Sequence, residues 1–318
     1  MLAPPAVKFA CARCHAALDA ADAEAELMCG GCGARYPVVD GIPILSALAA
    51  GDPAEEYKRR QMEFFDGEAA EFEITRPVGQ PRLYGWLLAE KFRRSIGGLE
   101  SLLPGASVLT VCGGSGMDAE FLARRGARVI ASDLSLGAAQ RAGERARRRR
   151  LSIVPVVADV ERLPFPDRSI DIVYVHDGLH HLSDPMVGLA EMCRVARSGV
   201  AITEPSRAAV TSVAVRMGLA LREEDAGNRV ERVSAQGITA CLAEHGLRVV
   251  GADRYAMYYQ HEPGRWMRFF SRQRSFGMSR LAITAFNAGL GSAGNKLSVR
   301  AVRDDDLERS FAVASRRV

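Results

Sequence analysis

The chain has 318 residues, 48% of them hydrophobic and 25% charged, and carries a formal net charge of +4. That length and apolar content can bury a substantial core in two unequal domains, and so mild a positive balance demands no nucleic-acid partner. No internal repeat or extended low-complexity tract occurs, which excludes a repeat array. MLAPPAVKFA holds no apolar signal segment, and no apolar run is long enough to cross a bilayer, so the chain is expected to lack a transmembrane segment and to be cytoplasmic with reduced thiols.

In chain order, the first feature is CARC, Cys11 to Cys14, followed by CGGC, Cys29 to Cys32. Two such pairs across a short spacer match the spacing of a four-thiolate zinc site. Each pair can form a tight knuckle whose backbone N–H groups point at the sulfurs. A closed tetrahedral set leaves no open position for substrate, so Cys11, Cys14, Cys29 and Cys32 are expected to hold a structural Zn2+ that folds a module too small for its own core. His15 beside them is read as a bystander. RYPVVDGIPIL, Arg35 to Leu45, is β-rich with a turn at Asp40 and Gly41.

From Ala50 a polar linker becomes helical. Met62, Phe64, Phe65, Tyr84, Trp86 and Leu87 can pack these helices over a ligand, with Phe65 and Tyr84 as site candidates. VLTVCGGSGMDAEFLARRGARVIASDLS, Val108 to Ser135, then reads as strand, glycine turn, helix, strand and carboxylate. Gly113, Gly114 and Gly116 let ligand atoms approach the backbone, and the following helix points free N–H groups at the site. Asp133 can accept two hydrogen bonds from ribose hydroxyls, and its charge disfavours a 2′-phosphate. The pattern suits a nucleoside cofactor, and Gly114, Gly116 and Ala119, with an acid about 20 residues further on, also satisfy the looser dinucleotide fingerprint. RAGERARRRR, Arg141 to Arg150, follows; its arginines are read as a solvated helix end favouring the dipole, with phosphate contact as the alternative.

VPVVADVERLPFPDRSIDIVYVHDGLHHLSDP, Val154 to Pro185, adds a third strand ending at Asp159 and a fourth ending near His176. With the glycine turn and Asp133 this ordered set resembles the class I S-adenosylmethionine-dependent methyltransferases, over about residues 60 to 305. The cysteine pairs and RYPVVDGIPIL resemble the small zinc-ribbon proteins that partner methyltransferases, here at the N-terminus of the same chain. The resemblance implies an α/β fold, a Rossmann-like seven-stranded methyltransferase sheet with a small N-terminal β-rich zinc ribbon. Its strands would be Val108–Val111, Arg128–Ser132, Ile153–Val157, Ile170–Val175, Val200–Thr203, Leu247–Tyr255 and Lys296–Val302. The implied domains are a ribbon at 1–48, a helical linker and lid at 49–100, and a methyltransferase domain at 101–318 with insertions at 206–236 and 258–295.

The resemblance also implies S-adenosyl-L-methionine as cofactor, held by Thr110, Gly113, Gly114, Gly116, Asp133, Leu134, Asp159, Val160 and His176, with Asp159 bonding the adenine amino group. The family usually has Asp and Gly where Thr110 and Cys112 stand; the Thr110 hydroxyl would then bond the methionine amino group. Cys112, Cys193 and Cys241 are read as inert core thiols. His176, Asp177, His180, His181, Glu204 and Pro205 follow the fourth and fifth strands, where ligands of such sheets sit. His180 and His181 are the candidate catalytic bases, because neutral imidazole suits proton removal near pH 7. HDGLHH favours an oxygen acceptor, and no NPPY-type motif occurs.

Acceptor selectivity is expected in the two insertions, and the second carries His261, Glu262, Arg265, Trp266, Arg268, Phe269, Phe270, Arg272 and Arg274. That mixture suits an anionic, aromatic or lipid-linked acceptor; stacking of RNA bases, contact with a membrane surface, and an amphipathic lid with packed aromatics and solvated arginines are the other readings. The expected activity is methyl transfer to a small-molecule or lipid-linked acceptor. An RNA methyltransferase using the ribbon to dock RNA, and a non-catalytic cofactor-binding scaffold, are the alternatives.

Overall fold

The computed structural model describes residues 7–20, 26–46, 53–68, 70–206, 233–259 and 261–304. Most of the first expected insertion, residues 207–232, lies outside these.

Four short strands come first: β1 (Leu18–Ala20), β2 (Glu26–Cys29), β3 (Arg35–Val39) and β4 (Ile42–Pro43), paired antiparallel in that order. The expected turn at Asp40 and Gly41 takes positive φ at both residues, 53° and 76°, which a two-residue hairpin loop of this kind requires.

Three helices follow: α1 (Pro53–Asp66), α2 (Ala70–Thr75) and α3 (Arg82–Ser95). The main layer then alternates β5 (Ser107–Val111), α4 (Met117–Ala123), β6 (Arg128–Asp133), α5 (Leu136–Arg149), β7 (Ile153–Val157), β8 (Ile170–His176), α6 (Pro185–Val195) and β9 (Ala196–Pro205). After α7 (Ala235–Glu244) and β10 (Leu247–Tyr255) come α8 (Arg265–Phe270), α9 (Gln273–Leu290) and β11 (Lys296–Arg303).

These make one seven-stranded sheet in the order β10-β11-β9-β8-β5-β6-β7, the Rossmann-like arrangement of the methyltransferase fold. β5 to β9 are parallel, and β11 enters antiparallel between β9 and β10. Every residue of β5 is buried, as expected of a strand covered by helices on both faces. From β5 the chain winds outward to β6 and β7, then returns to β8 on the other side. The crevice beyond the carboxyl ends of β5 and β8 is therefore the switch point where such sheets hold ligands.

The cysteine-bearing sheet continues this body. Ile44 bridges Val157 in parallel, the Leu45 amide donates to the Val157 carbonyl at 2.7 Å, and the Ala10 amide donates to Pro164 at 2.9 Å. Cys11, Tyr36 and Leu45 belong to the same apolar core as Leu163 and Phe165. The otherwise open edge of β7 is thereby covered, which removes a site for unwanted strand pairing.

The arginine run does not form a simple solvated helix end. Arg145 is fully buried and donates to the Ser115 and Arg76 carbonyls and to Glu120, each at 2.9 Å, and also to the Glu73 carbonyl. Arg141 donates to the Phe65 carbonyl, Arg148 to Glu71, and Arg149 to the Thr75 carbonyl. The run fastens α1 and α2 onto α5, because one face of α5 finds unsatisfied carbonyls and carboxylates rather than water. No described helix is long and apolar enough to cross a membrane.

Candidate functional site

A cavity of about 300 Å³ opens beyond the carboxyl ends of the central strands. Its sheet-side wall contains Gly113, Gly114, Asp133, Leu134, Asp159, Val160 and His176, seven of the nine residues expected to hold a cofactor. Gly114, at φ 51°, has no atom within 4 Å of where a Cβ would stand, so its backbone lies open to close approach. Its amide donates to Asp133 Oδ2 at 2.8 Å and the Ser135 amide donates to Oδ1 at 3.0 Å. The glycine turn thus fixes the carboxylate that faces the cavity. Burial raises the Asp133 carboxyl above its ordinary range, against these same amides.

The other two expected residues lie off the wall. Thr110 is 1% exposed, with Oγ1 packed beneath Gly113, where an added Cβ would sit 2.9 Å from it. Gly116, at φ 76°, is pressed onto α5, and an added Cβ would meet the Ala142 Cβ at 2.9 Å. Alternation along β5 turns Thr110 inward, and Gly116 serves helix packing, the usual third role in such a turn.

Asp159 faces the cavity but already has a partner. Lys58 of α1, itself 5% exposed, donates to Asp159 Oδ2 at 2.7 Å and pairs with Glu161 at 2.9 Å. An adenine amino group would reach the same carboxylate alongside this ammonium.

The two adjacent histidines separate. His180 is buried, its Nδ1 2.7 Å from Glu204 Oε2, and it does not line the cavity. Glu204 also accepts from the Gly178 and Leu179 amides at 2.9 and 2.8 Å, so this pair shapes the turn after β8. His181 is on the cavity wall, edge-on to Phe65 at 5.4 Å, with Nδ1 3.1 Å from Gln61 Oε1. Gln61 Oε1 can accept a hydrogen bond from a proton carried on that Nδ1.

His176 accepts or donates at Nδ1 with Ser95 Oγ, 2.8 Å away. Burial and the Lys91 charge push its pKa down to about 3, so the ring is neutral. Asp177 neighbours His176 Nε2 at 3.4 Å and is gripped by Lys296 at 2.7 Å. Burial would raise its carboxyl, but Lys296 and His176 outweigh that and hold it well below the usual range. Phe65 is on the wall; Tyr84 is fully buried and donates to the His261 carbonyl at 3.1 Å, supporting the lid from behind.

Several wall residues carry no motif signal. Glu73 of α2 receives the Ser115 hydroxyl at 2.8 Å and pairs with Arg76 and His261, each at 2.8 Å. This joins α2, the glycine turn and the second insertion over the cavity. Burial alone would raise the Glu73 carboxyl, but the His261 hydrogen bond, the Arg76 charge and the Ser115 hydroxyl bring it down to about 2. Lys91 of α3 is buried beside Tyr259 at 3.3 Å and Asp177 at 3.8 Å. Asp118, in the first turn of α4, has Oδ1 buried without a hydrogen-bond partner among the described residues, and burial raises its pKa to about 6. Its position after the glycine turn was the available signal; Lys91 and Glu73 arrive only through the tertiary fold. Cys112 lines the cavity as well as packing against the core, at φ 48° where a glycine is more usual, and burial raises its thiol pKa well above the ordinary value.

In the N-terminal module the four sulfurs of Cys11, Cys14, Cys29 and Cys32 lie within 4.8 Å of one another. Cys11 to Cys32 is 3.6 Å and Cys14 to Cys29 is 3.4 Å. A tetrahedron of thiolates about 2.3 Å from zinc has edges of roughly 3.8 Å, so the donor set and spacing fit the metal. The Arg13 amide donates to Cys11 Sγ and the Cys32 amide to Cys29 Sγ, as knuckles require. Tyr36 lies 3.1 Å from Cys11 Sγ. His15 is exposed at φ 58°, closing its knuckle as Gly33 closes the other.

Residues 109–203 match the methyltransferase domain family. The chain is 34% identical over 148 residues to a demethylmenaquinone methyltransferase of Corynebacterium urealyticum, covering 46% of this chain and 58% of that protein. It is 35% identical over 138 residues to a demethylmenaquinone methyltransferase of Renibacterium salmoninarum, covering 42% and 53%. The chain thus spans just over half the length of these curated relatives. Among solved structures, the magnesium protoporphyrin IX methyltransferase of Synechocystis PCC 6803 with bound SAH aligns with a TM-score of 0.52 at 15% identity, covering 78% of this chain and all of that one, a likeness of fold.

Proposed function

Because residues 109–203 carry a methyltransferase domain on a class I fold, we propose that this protein transfers the methyl group of S-adenosylmethionine to a small-molecule or lipid-linked acceptor, at oxygen. The observation that carries the reading is the meeting of the Gly113–Ser115 turn and the Asp133 carboxylate on one cavity at the switch point of the sheet. The curated relatives, named for demethylmenaquinone, support an acceptor of the lipid-linked aromatic kind.

In this reading Asp133 holds the ribose, Asp159 the adenine amino group, and Leu134 and Val160 flank the base. Lys91 would meet the carboxylate of the amino-acid end and Asp118, whose Oδ1 has no hydrogen-bond partner among the described residues, would meet its ammonium, the task first expected of Thr110. The bound sulfonium supplies an activated methyl group. The protein's contribution is alignment and exclusion of water, with the lid of α1, α2 and Tyr259 closing the cavity. His181 Nε2 takes the acceptor hydroxyl proton, while His180 and Glu204 position that turn from behind. The cysteine module holds a structural zinc.

The test supplies labelled S-adenosylmethionine to the full-length, zinc-loaded protein with a panel of detergent-dispersed phenols and reduced quinones, beside transfer and ribosomal RNA. Label on an acceptor oxygen, reduced about 100-fold or more in His181→Ala, supports the reading. Label on RNA alone, or none on any acceptor, contradicts it.

A further inference from the structure

The second insertion presents a surface that neither the cavity nor the core uses. Along α9 the packed face holds Phe276, Ile283 and Asn287 against α3 and the chain after β10. From Met278 onward the opposite face reads Met278, Leu281, Ala282, Ala285, Phe286 and Gly289, with no polar residue, and Arg274 precedes it by one turn. Met278 is 66% exposed and Leu281 71%, so a helix with a fully apolar outer stripe faces solvent. Beside it α8 exposes Trp266 at 75%, stacked on Phe270 and edge-on to Phe269.

The charge on this element has one sign. Between positions 265 and 295 stand five arginines and no acidic residue. Arg265, Arg268 and Arg272 are exposed, and Arg272 lies over the Phe269 ring at 5.3 Å. Wide apolar faces rimmed by arginine and tryptophan, on helices lying along the protein rather than through it, match the chemistry of an interfacial contact with anionic lipid. The same segment reaches the cavity, since Tyr259 and His261 precede α8 and line the lid.

We propose that α8 and α9 form a docking surface for an anionic lipid bilayer, laying the mouth of the cavity against the membrane. The surface stands on its own residues; only its link to a lipid-linked acceptor rests on the function proposed above. Trp266 and the apolar stripe enter the headgroup boundary, and the arginines meet lipid phosphates.

The test mixes the zinc-loaded protein with phosphatidylcholine vesicles, with or without phosphatidylglycerol, and follows co-sedimentation and the fluorescence of Trp266. Binding is expected with the anionic vesicles and to weaken with salt. Arg265→Gln with Arg268→Gln should reduce it roughly 25-fold, about fivefold per arginine. Met278→Asp with Leu281→Asp, both at exposed positions, should abolish it while leaving S-adenosylmethionine titration unchanged. Binding without preference for anionic lipid, or binding indifferent to the aspartates, overturns the proposal, as does self-association lost in the aspartate variant without vesicle binding. Methyl transfer to a detergent-dispersed acceptor without vesicle binding would sink this inference alone; vesicle binding without transfer would sink the proposed function alone.

Discussion

A carboxylate buried in the first turn of a helix is costly unless cations and donors meet it, and Asp118 faces the cavity with Oδ1 lacking a hydrogen-bond partner among the described residues and the Lys91 charge only partly offsetting its burial. An incoming ammonium would supply the missing partner. Affinity for S-adenosylmethionine should therefore fall as pH drops through about 6, where Asp118 takes up a proton. Titration calorimetry across pH 5 to 8 checks this, and Asp118→Asn should bind weakly with a flattened profile over that range. The same raised pKa has a consequence for the unliganded fold. Its proton is held more tightly folded than unfolded, so the contribution is present below 3.8 and lost as pH rises through 6. Legibility at this scale followed the chain's local order. Asp133, Asp159, Gly113 and Gly114 reach the cavity wall as the motif order suggests, because each follows or ends a strand that the motif fixes. Thr110 lies off the wall because a side chain on a buried strand obeys alternation, which the motif does not state. Likewise, adjacent histidines could not be assigned to wall or core until Glu204 was seen to hold His180.

At the scale of elements, the site is closed by parts with little intrinsic claim to their position. The short α2 is secured by Arg145, Arg148 and Arg149 from below and by Glu73 across the cavity. Glu73 carries stability of about 3 kcal/mol at neutral pH from its lowered pKa, present above 4.5 and lost as pH falls toward 2. Glu73→Gln should remove roughly that amount and loosen α2, read as a lower denaturant midpoint and faster amide exchange in residues 70–76. Arg145→Met should cost about 3 kcal/mol or more, because it leaves the Ser115, Arg76 and Glu73 carbonyls without their donor while Glu120 keeps Arg124, and equilibrium unfolding measures it. β5 to β9 were legible as apolar runs between turn residues, β9 beginning earlier than its apolar core, whereas β10 and β11 entered the sheet through the family order. The role of the arginines was not, since charge spacing looks alike whether the partners are water, phosphate or another helix's carbonyls.

Across the whole molecule, the cysteine module and the seven-stranded sheet share a core and a strand edge, so zinc should stabilise more than its own module. One zinc per chain is expected by atomic absorption. Chelation, or Cys29→Ser, should lower the thermal midpoint of the entire chain and promote aggregation by uncovering β7. Separate transitions, with the sheet unaffected, would show the shared core to be unimportant. The cysteine spacing announced the module, but its docking on Val157 and Pro164 could not be read, because edge pairing depends on geometry brought together from distant positions.

The measurement that bears most directly on the account is calorimetric titration of the zinc-loaded protein with S-adenosylmethionine, paired with Asp133→Ala. The account predicts saturable one-to-one binding by the wild type, weakened at least about 100-fold in the variant by loss of a charge-assisted ribose contact in a buried site. A folded wild type that takes up no S-adenosylmethionine, or a variant that binds as well as the wild type, would contradict it.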